Sequence, residues 1–180
     1  MAAGITREPT QSEPRAASSP ILRATQTRVV SGRREYRDKG DTAALRPDGF
    51  STHGITHVIC LVPMEEAKRK SPEYAKDLKR GTVPCPVQAF SIRDYGAPAD
   101  REAFLQVVRD TALCLGAGER VLVHCGAGIG RTGMFATCVI MALGEPRGDA
   151  EERVKTAGSG WEDDSQDCLL RWAARTMQAE

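Results

Sequence analysis

The stretch VLVHCGAGIGRTG, residues 121–133, ends an apolar run on Cys125, sets four glycines around it and brings in Arg131 six residues later. A cysteine attacks only as its thiolate, and a free thiol titrates near about 8.5, so it needs help to ionise. The start of a helix offers that help through unpaired backbone N–H groups and a partial positive charge. Glycines let successive N–H groups turn inward on an anion. The planar fork of an arginine grips two phosphate oxygens at once. Taken together, these residue types describe a nucleophile, Cys125, on the floor of a phosphate cradle. The cradle is expected from the backbone N–H groups of Gly126, Ala127, Gly128, Ile129, Gly130 and Arg131, closed by the Arg131 side chain. The Thr132 hydroxyl is placed to stabilise the thiolate when it departs.

A second reading competes for the same glycines. Gly128, Gly130 and Gly133 satisfy the dinucleotide pattern G-x-G-x-x-G. That fingerprint needs a further strand carrying an acidic residue about 20 positions on. Here a helical stretch and then GEPRGDAEERVKTAGSG follow, with no strand. A G-K-[ST] phosphate loop fails too, because no lysine follows the glycines. The cradle is the reading that uses every residue type in the stretch.

Cys125-GAGIG-Arg131, with His124 before it and Thr132 after it, resembles the C-x-x-x-x-x-R signature of the cysteine-dependent protein tyrosine phosphatase superfamily, and in particular its small dual-specificity-like and bacterial members. The resemblance covers roughly residues 27–175. It implies a phosphomonoester hydrolase that works through a phosphocysteine intermediate, without metal or cofactor. The implied partner is a phosphorylated protein, with phosphotyrosine favoured and dual specificity possible. Expelling an alkoxide calls for a general acid, which the family carries ahead of the signature. FSIRDYGAP offers Asp94, about 30 residues before Cys125, in a setting like the family's D-x-G-x-P, with Arg93 where many members have proline. Asp100 is the rival acid, but it reads as the N-cap of the next helix. AGSGWEDDSQ resembles the loop from which some members present a glutamine to the hydrolytic water, which makes Gln166 the candidate beside Glu162, Asp163 and Asp164. The loop interior GAGIG has no lysine or arginine, so a phosphoprotein suits it better than a multiply phosphorylated inositol. A phosphoinositide or other non-protein phosphate hydrolase, and a catalytically silent phosphate-binding adaptor, are the alternatives.

The elements that must hold these groups are legible from pattern. THVICLVP, Thr56–Pro63, is a short apolar and β-branched run and reads as a buried strand. SPEYAKDLKR follows as a short helix with Ser71 as N-cap and Pro72 in its first position. TVPCPVQAFSI, residues 82–92, reads as extended, with two prolines that bar a regular central strand along its whole length. DREAFLQVVRDTALCLG has apolar residues at helical spacing and is expected to stop at Gly116. RVLVH is a short buried strand, and RTGMFATCVIMALG is an apolar helix ending at Gly144. A helix over Asp149–Thr156 and an amphipathic one over DDSQDCLLRWAARTMQ complete the order, with Leu169, Leu170 and Trp172 as core. A first strand at 26–31 and a helix capped by Asp41 are also expected. The predicted fold is α/β, a central mostly parallel sheet flanked by helices and tyrosine-phosphatase-like, with the glycine loop at the carboxyl end of its strand.

Composition sets the outer limits. The chain has 180 residues, 41% of them hydrophobic, with a formal net charge of +1. That suits one domain and gives no global field for nucleic acid. Residues 1–22 are expected to be a disordered tail and 23–180 the phosphatase domain. No apolar run reaches the roughly 20 residues of a membrane span. The N-terminus lacks the apolar region of a usual secretory signal, so the expected compartment is the reducing cytoplasm, with export by another kind of signal left open. Six cysteines are present without a C-x-x-C pair or a neighbouring histidine cluster, which argues against a zinc site. Cys60, Cys114 and Cys138 are expected as buried free thiols, His124 as a support for the loop, and Arg33, Arg34 and Arg37 as a solvated charge run.

Overall fold

The computed structural model describes Phe50 and residues 53–179. The expected tail, the strand at 26–31, the helix capped by Asp41 and the arginines at 33, 34 and 37 lie outside the described residues.

The HVIC run forms β1, His57–Cys60, whose last three residues are buried. It lies in the middle of a three-stranded sheet of order β2-β1-β3, and both pairings are parallel. Val58 pairs with Val87 of β2 (Val87–Ala89), and Cys60 pairs with His124 of β3 (Val121–His124). Parallel neighbours require crossovers. The first runs through α1 (Met64–Lys70) and α2 (Pro72–Arg80), and the second through α3 (Arg101–Gly116). After β3 come α4 (Gly130–Ala142), α5 (Arg147–Thr156) and α6 (Asp164–Gln178). The expected α/β fold is present, with its glycine loop between β3 and α4. Among the described residues no helix is long and apolar enough to cross a membrane.

α4 is the central helix, and every residue from Gly130 to Val139 is buried. An all-round apolar helix of this kind needs cover on several sides, and it packs against α3, α5 and α6. The rings of Phe90, Phe104 and Phe135 meet edge to face, 5.8 and 5.6 Å between centroids, beside Ile59, Val123 and Met134. Leu169 and Leu170 join this core from α6, whereas Trp172 is half-buried under the Arg101 guanidinium. A smaller cluster of Cys60, Val62 and Tyr74 forms where α2 covers the sheet.

Several local expectations are corrected. Residues 64–70 form a helix that no apolar periodicity announces. Its acidic first turn, Glu65 and Glu66, and basic last turn, Lys68 to Lys70, suit the helix dipole. Ser71 precedes α2 as expected, yet its side chain makes no cap bond. Its N–H instead closes α1 on the Ala67 carbonyl, 2.8 Å. Gly116 is the last residue of α3, and the left-handed turn falls on Gly118, φ +87°. Cys60 and Cys138 are buried, but Cys114 is half-buried. The extended stretch forms regular strand only at 87–89. Beyond it, the Phe90 and Ile92 N–H groups still donate to the Cys60 and Leu61 carbonyls, which carries the chain along β1 towards Asp94.

Candidate active site

The loop after β3 is shaped by glycine and pinned from outside. Gly128 takes φ +70°, where a side chain would be strained. Ser159 Oγ lies 2.9 Å from both the Gly128 and Ile129 carbonyls. Drawing those carbonyls outward turns the opposing N–H groups of the same peptide units away from Ser159. Cys125 is half-buried at the loop's start, and its Sγ accepts the Gly128 N–H at 3.2 Å. The sulfur therefore sits inside the curve of the loop, at the mouth of α4.

Arg131 is 2% exposed. Glu66, 7% exposed, accepts from both ends of its fork: Nη1 to Oε2 at 2.8 Å and Nη2 to Oε1 at 3.0 Å. Nη1 also donates to the Ile92 carbonyl, 3.0 Å, and Nη2 to Asp94 Oδ1, 2.7 Å. Burial opposes the Arg131 charge, but the Glu66 hydrogen bonds override it, so the guanidinium is held above its ordinary value. Those bonds, with Lys70 Nζ at 2.7 Å, overcome burial at Glu66 and hold its carboxyl down at about 2. The arrangement thus sets a buried cation beside a sulfur at a helix start, with one carboxylate fixed across the fork and a second, the half-exposed Asp94, on a single donor.

A family description, "Swiss Army Knife protein, DSP-PTPase phosphatase domain" (PTP-SAK), matches residues 29–176. The chain belongs to the PTP-SAK family. It is also 33% identical over 97 residues to tyrosine-protein phosphatase non-receptor type 4 of Homo sapiens. That alignment covers 51% of this chain and 10% of the human protein, so the chain spans about a tenth of that relative's length. Among solved structures, kinase associated phosphatase (KAP), with its catalytic-site cysteine replaced by serine, superposes with a TM-score of 0.63 at 17% identity. The match covers 74% of this chain and 76% of that one. Tk-PTP in its active form gives a TM-score of 0.55 at 26% identity, over 67% and 79% of the two chains. The fold is thus the α/β fold of these phosphatases.

Within this PTP-SAK domain, Cys125, Arg131 and Asp94 stand together. Asp100 stands apart from that group and caps α3, accepting the Ala103 N–H at 2.9 Å. Thr132 Oγ1 is fully buried and has no hydrogen-bond partner among the described residues. Gln166 is fully buried, and both ends of its amide are engaged: Nε2 donates to the Gly96 carbonyl, 3.1 Å, and Oε1 accepts the Glu162 N–H, 3.0 Å. Glu162 Oε2 accepts the Gly130 N–H at 3.0 Å, so an acidic side chain occupies one donor of the expected cradle. His124 is buried, and its Nε2 meets the Tyr74 hydroxyl at 2.8 Å. Burial pushes the imidazole down to about 4 and the phenol upward, so at neutral pH the contact joins a neutral phenol and a neutral imidazole. Sequence reasoning missed Glu66, Ser159 and Tyr74. Glu66 lies in a charged run with no apolar phase, 65 positions from its arginine, and only the parallel crossover brings it there.

Proposed function

We propose that the domain hydrolyses phosphomonoesters of phosphoproteins, with phosphotyrosine favoured and dual specificity possible, through a phosphocysteine intermediate. The observation that carries this is the Cys125 sulfur lying inside the loop at the start of α4 while Arg131 is locked by Glu66 with one donor shared with Asp94. A phosphate oxygen takes the place of Asp94 on Nη2. The freed Asp94 then lies beside the bound group, where a leaving oxygen needs its proton. The Cys125 thiolate forms the S–P bond as the P–O bond to the leaving group breaks, and the electron pair passes to that oxygen with the proton from Asp94. Water next attacks phosphorus, Asp94 takes its proton, and the S–P electron pair returns to sulfur.

The orphan Thr132 hydroxyl, one residue beyond Arg131, suits a donor held for that sulfur. Gln166 braces the acid loop through Gly96, and placing water would require this bond to open first. The cradle donors are the N–H groups of residues 126–131, with Glu162 leaving that of Gly130 when phosphate enters. Catalysis then rests on positioning and on fixed charge around the equatorial oxygens. The match to a human tyrosine-protein phosphatase supports the tyrosine preference.

The test compares the wild type with Cys125→Ser on p-nitrophenyl phosphate and on phosphotyrosine, phosphoserine and phosphoinositide substrates. The expected result is turnover by the wild type, fastest on phosphotyrosine peptide, and none by the variant, which still binds phosphate. Comparable turnover by Cys125→Ser contradicts the nucleophile, and a preference for the lipid contradicts the substrate class.

A further inference from the structure

The amino ends of the strands carry a second group of reactive side chains that the phosphatase chemistry does not use. His57 opens β1, Cys114 lies in the last turn of α3, and Glu119 sits two residues before β3. His57 Nδ1, Cys114 Sγ and a Glu119 carboxylate oxygen all lie within 4.8 Å of one another, and each residue is half-buried. His57 Nδ1 is 2.5 Å from Glu119 Oε2. We propose that these three side chains bind one zinc-class divalent metal ion.

The donor set argues for that class of ion. A thiolate and an imidazole beside one carboxylate suit zinc and its transition-metal neighbours, whereas magnesium and calcium take oxygen ligands. Three protein ligands leave a fourth tetrahedral position open to solvent. Closing 4.8 Å to the roughly 3.5 Å edge of a tetrahedral zinc site asks for side-chain rotation at half-exposed residues. Binding forms the sulfur–metal bond and releases the Cys114 proton to solvent.

The backbone that carries the ligands is already tied together. The Glu119 N–H donates to the Cys114 carbonyl, 3.0 Å, and the Thr56 and His57 N–H groups donate to the Arg120 carbonyl, 2.9 and 3.3 Å. Thr56 Oγ1 donates to Glu119 Oε2, 3.1 Å, the kind of outer contact that orients a ligating carboxylate. A cavity of about 230 Å³ lined by His57, Asp110, Thr111 and Cys114 opens beside the group and gives an ion its way in. Four residues of strand, about 13 Å, separate this end of the sheet from the Cys125 loop. The site is therefore independent of the phosphatase reading, and the metal would clip the end of α3 to β1 and the entry to β3. Sequence spacing hid it, because the histidine stands 57 positions before the cysteine rather than in a local ligand motif.

The test is a cobalt titration of the full chain carrying Cys125→Ser, which removes the loop thiolate as a competing ligand. Cobalt alone is the probe. One equivalent should give tetrahedral visible bands and a thiolate-to-cobalt charge-transfer band, both displaced by zinc. Adding Cys114→Ser should abolish the charge-transfer band without changing the metal-free melting temperature. His57→Ala and Glu119→Gln should each weaken binding by about tenfold or more, and they decide the matter if the cysteine variant does not fold. No band at millimolar cobalt, a band that survives Cys114→Ser, or unchanged affinity in the other two variants overturns the proposal.

Discussion

The Arg131 guanidinium faces two carboxylates with different tasks. Glu66 spans the fork, is buried with it and fixes its plane. Asp94 holds a single donor, and its side chain is 49% exposed. On the proposed mechanism a phosphate entering the loop competes with Asp94, so removing that carboxylate should have two opposite effects. Asp94→Ala is predicted to lower kcat by about 10²-fold while tightening inorganic phosphate binding. Asp100→Ala should leave kcat near that of the wild type and cost about 1 kcal/mol of stability through the lost cap. A kcat collapse in Asp100→Ala instead would reassign the acid. Glu66 and His124 also set how the fold meets acid. In both, the folded pKa lies below the unfolded one, so the unfolded chain takes up protons first as pH falls. The His124 contribution is complete above about 6.5 and is lost towards about 4, and that of Glu66 is complete above about 4.5 and is lost towards about 2. Glu66→Gln should lower stability by about 3 kcal/mol at pH 7, since it takes the spanning carboxylate from a buried arginine and leaves it only the half-exposed Asp94. The deficit should narrow as pH falls below 4.5. Urea unfolding at several pH values checks this, and a pH-independent deficit would contradict the ion pair's role.

At the scale of elements, α4 and the segment after α5 act as one piece. A methyl added to Gly133 would run into the backbone of Gly160, so the helix and that segment touch main chain to main chain. The same segment supplies Ser159, which pins the loop, and Glu162, which meets the Gly130 N–H. Gly133→Ala should therefore destabilise by about 1–3 kcal/mol or more and depress phosphatase activity with it. Gly148→Ala in α5 is the control, because no described residue lies within 4 Å of the added methyl and a helical alanine is worth up to about 1 kcal/mol over glycine. Equal melting temperatures for the two variants would contradict the close packing. Elements of this kind were legible where periodicity and punctuation agreed. The apolar phase over residues 104–115, Asp100 before it and Gly144 after α4 all marked real boundaries. The helix at 64–70 was not legible, since five of its seven residues are charged and carry no apolar phase. Ser71 looked like an N-cap because of Pro72, but the chain spends its N–H on the preceding helix.

At the scale of the molecule, one rule accounts for the site. Three parallel strands point the same way, and a residue of the candidate site follows the carboxyl end of each: Glu66 after β1, Asp94 after β2 and Cys125 after β3. Loops at this edge of a parallel sheet converge, as in open α/β sheets generally. That explains why Cys125 and Arg131 were readable in the sequence while Glu66, Ser159 and Tyr74 were not. The loop is one contiguous stretch whose residue types imply its chemistry, whereas Glu66, Ser159 and Tyr74 reach it only through the fold. Asp94 was legible only through its D-x-G-x-P surroundings. The opposite edge of the sheet, with His57, Cys114 and Glu119, was illegible for the same reason. The central claim, that Cys125 carries the phosphoryl group, is tested most directly by mixing enzyme with p-nitrophenyl phosphate and quenching with denaturant within the first turnover. Peptide mass analysis should then find one phosphoryl group on Cys125, together with a burst of one equivalent of p-nitrophenol. A phosphoryl group on any other side chain, or a burst with Cys125 unmodified, would contradict the account.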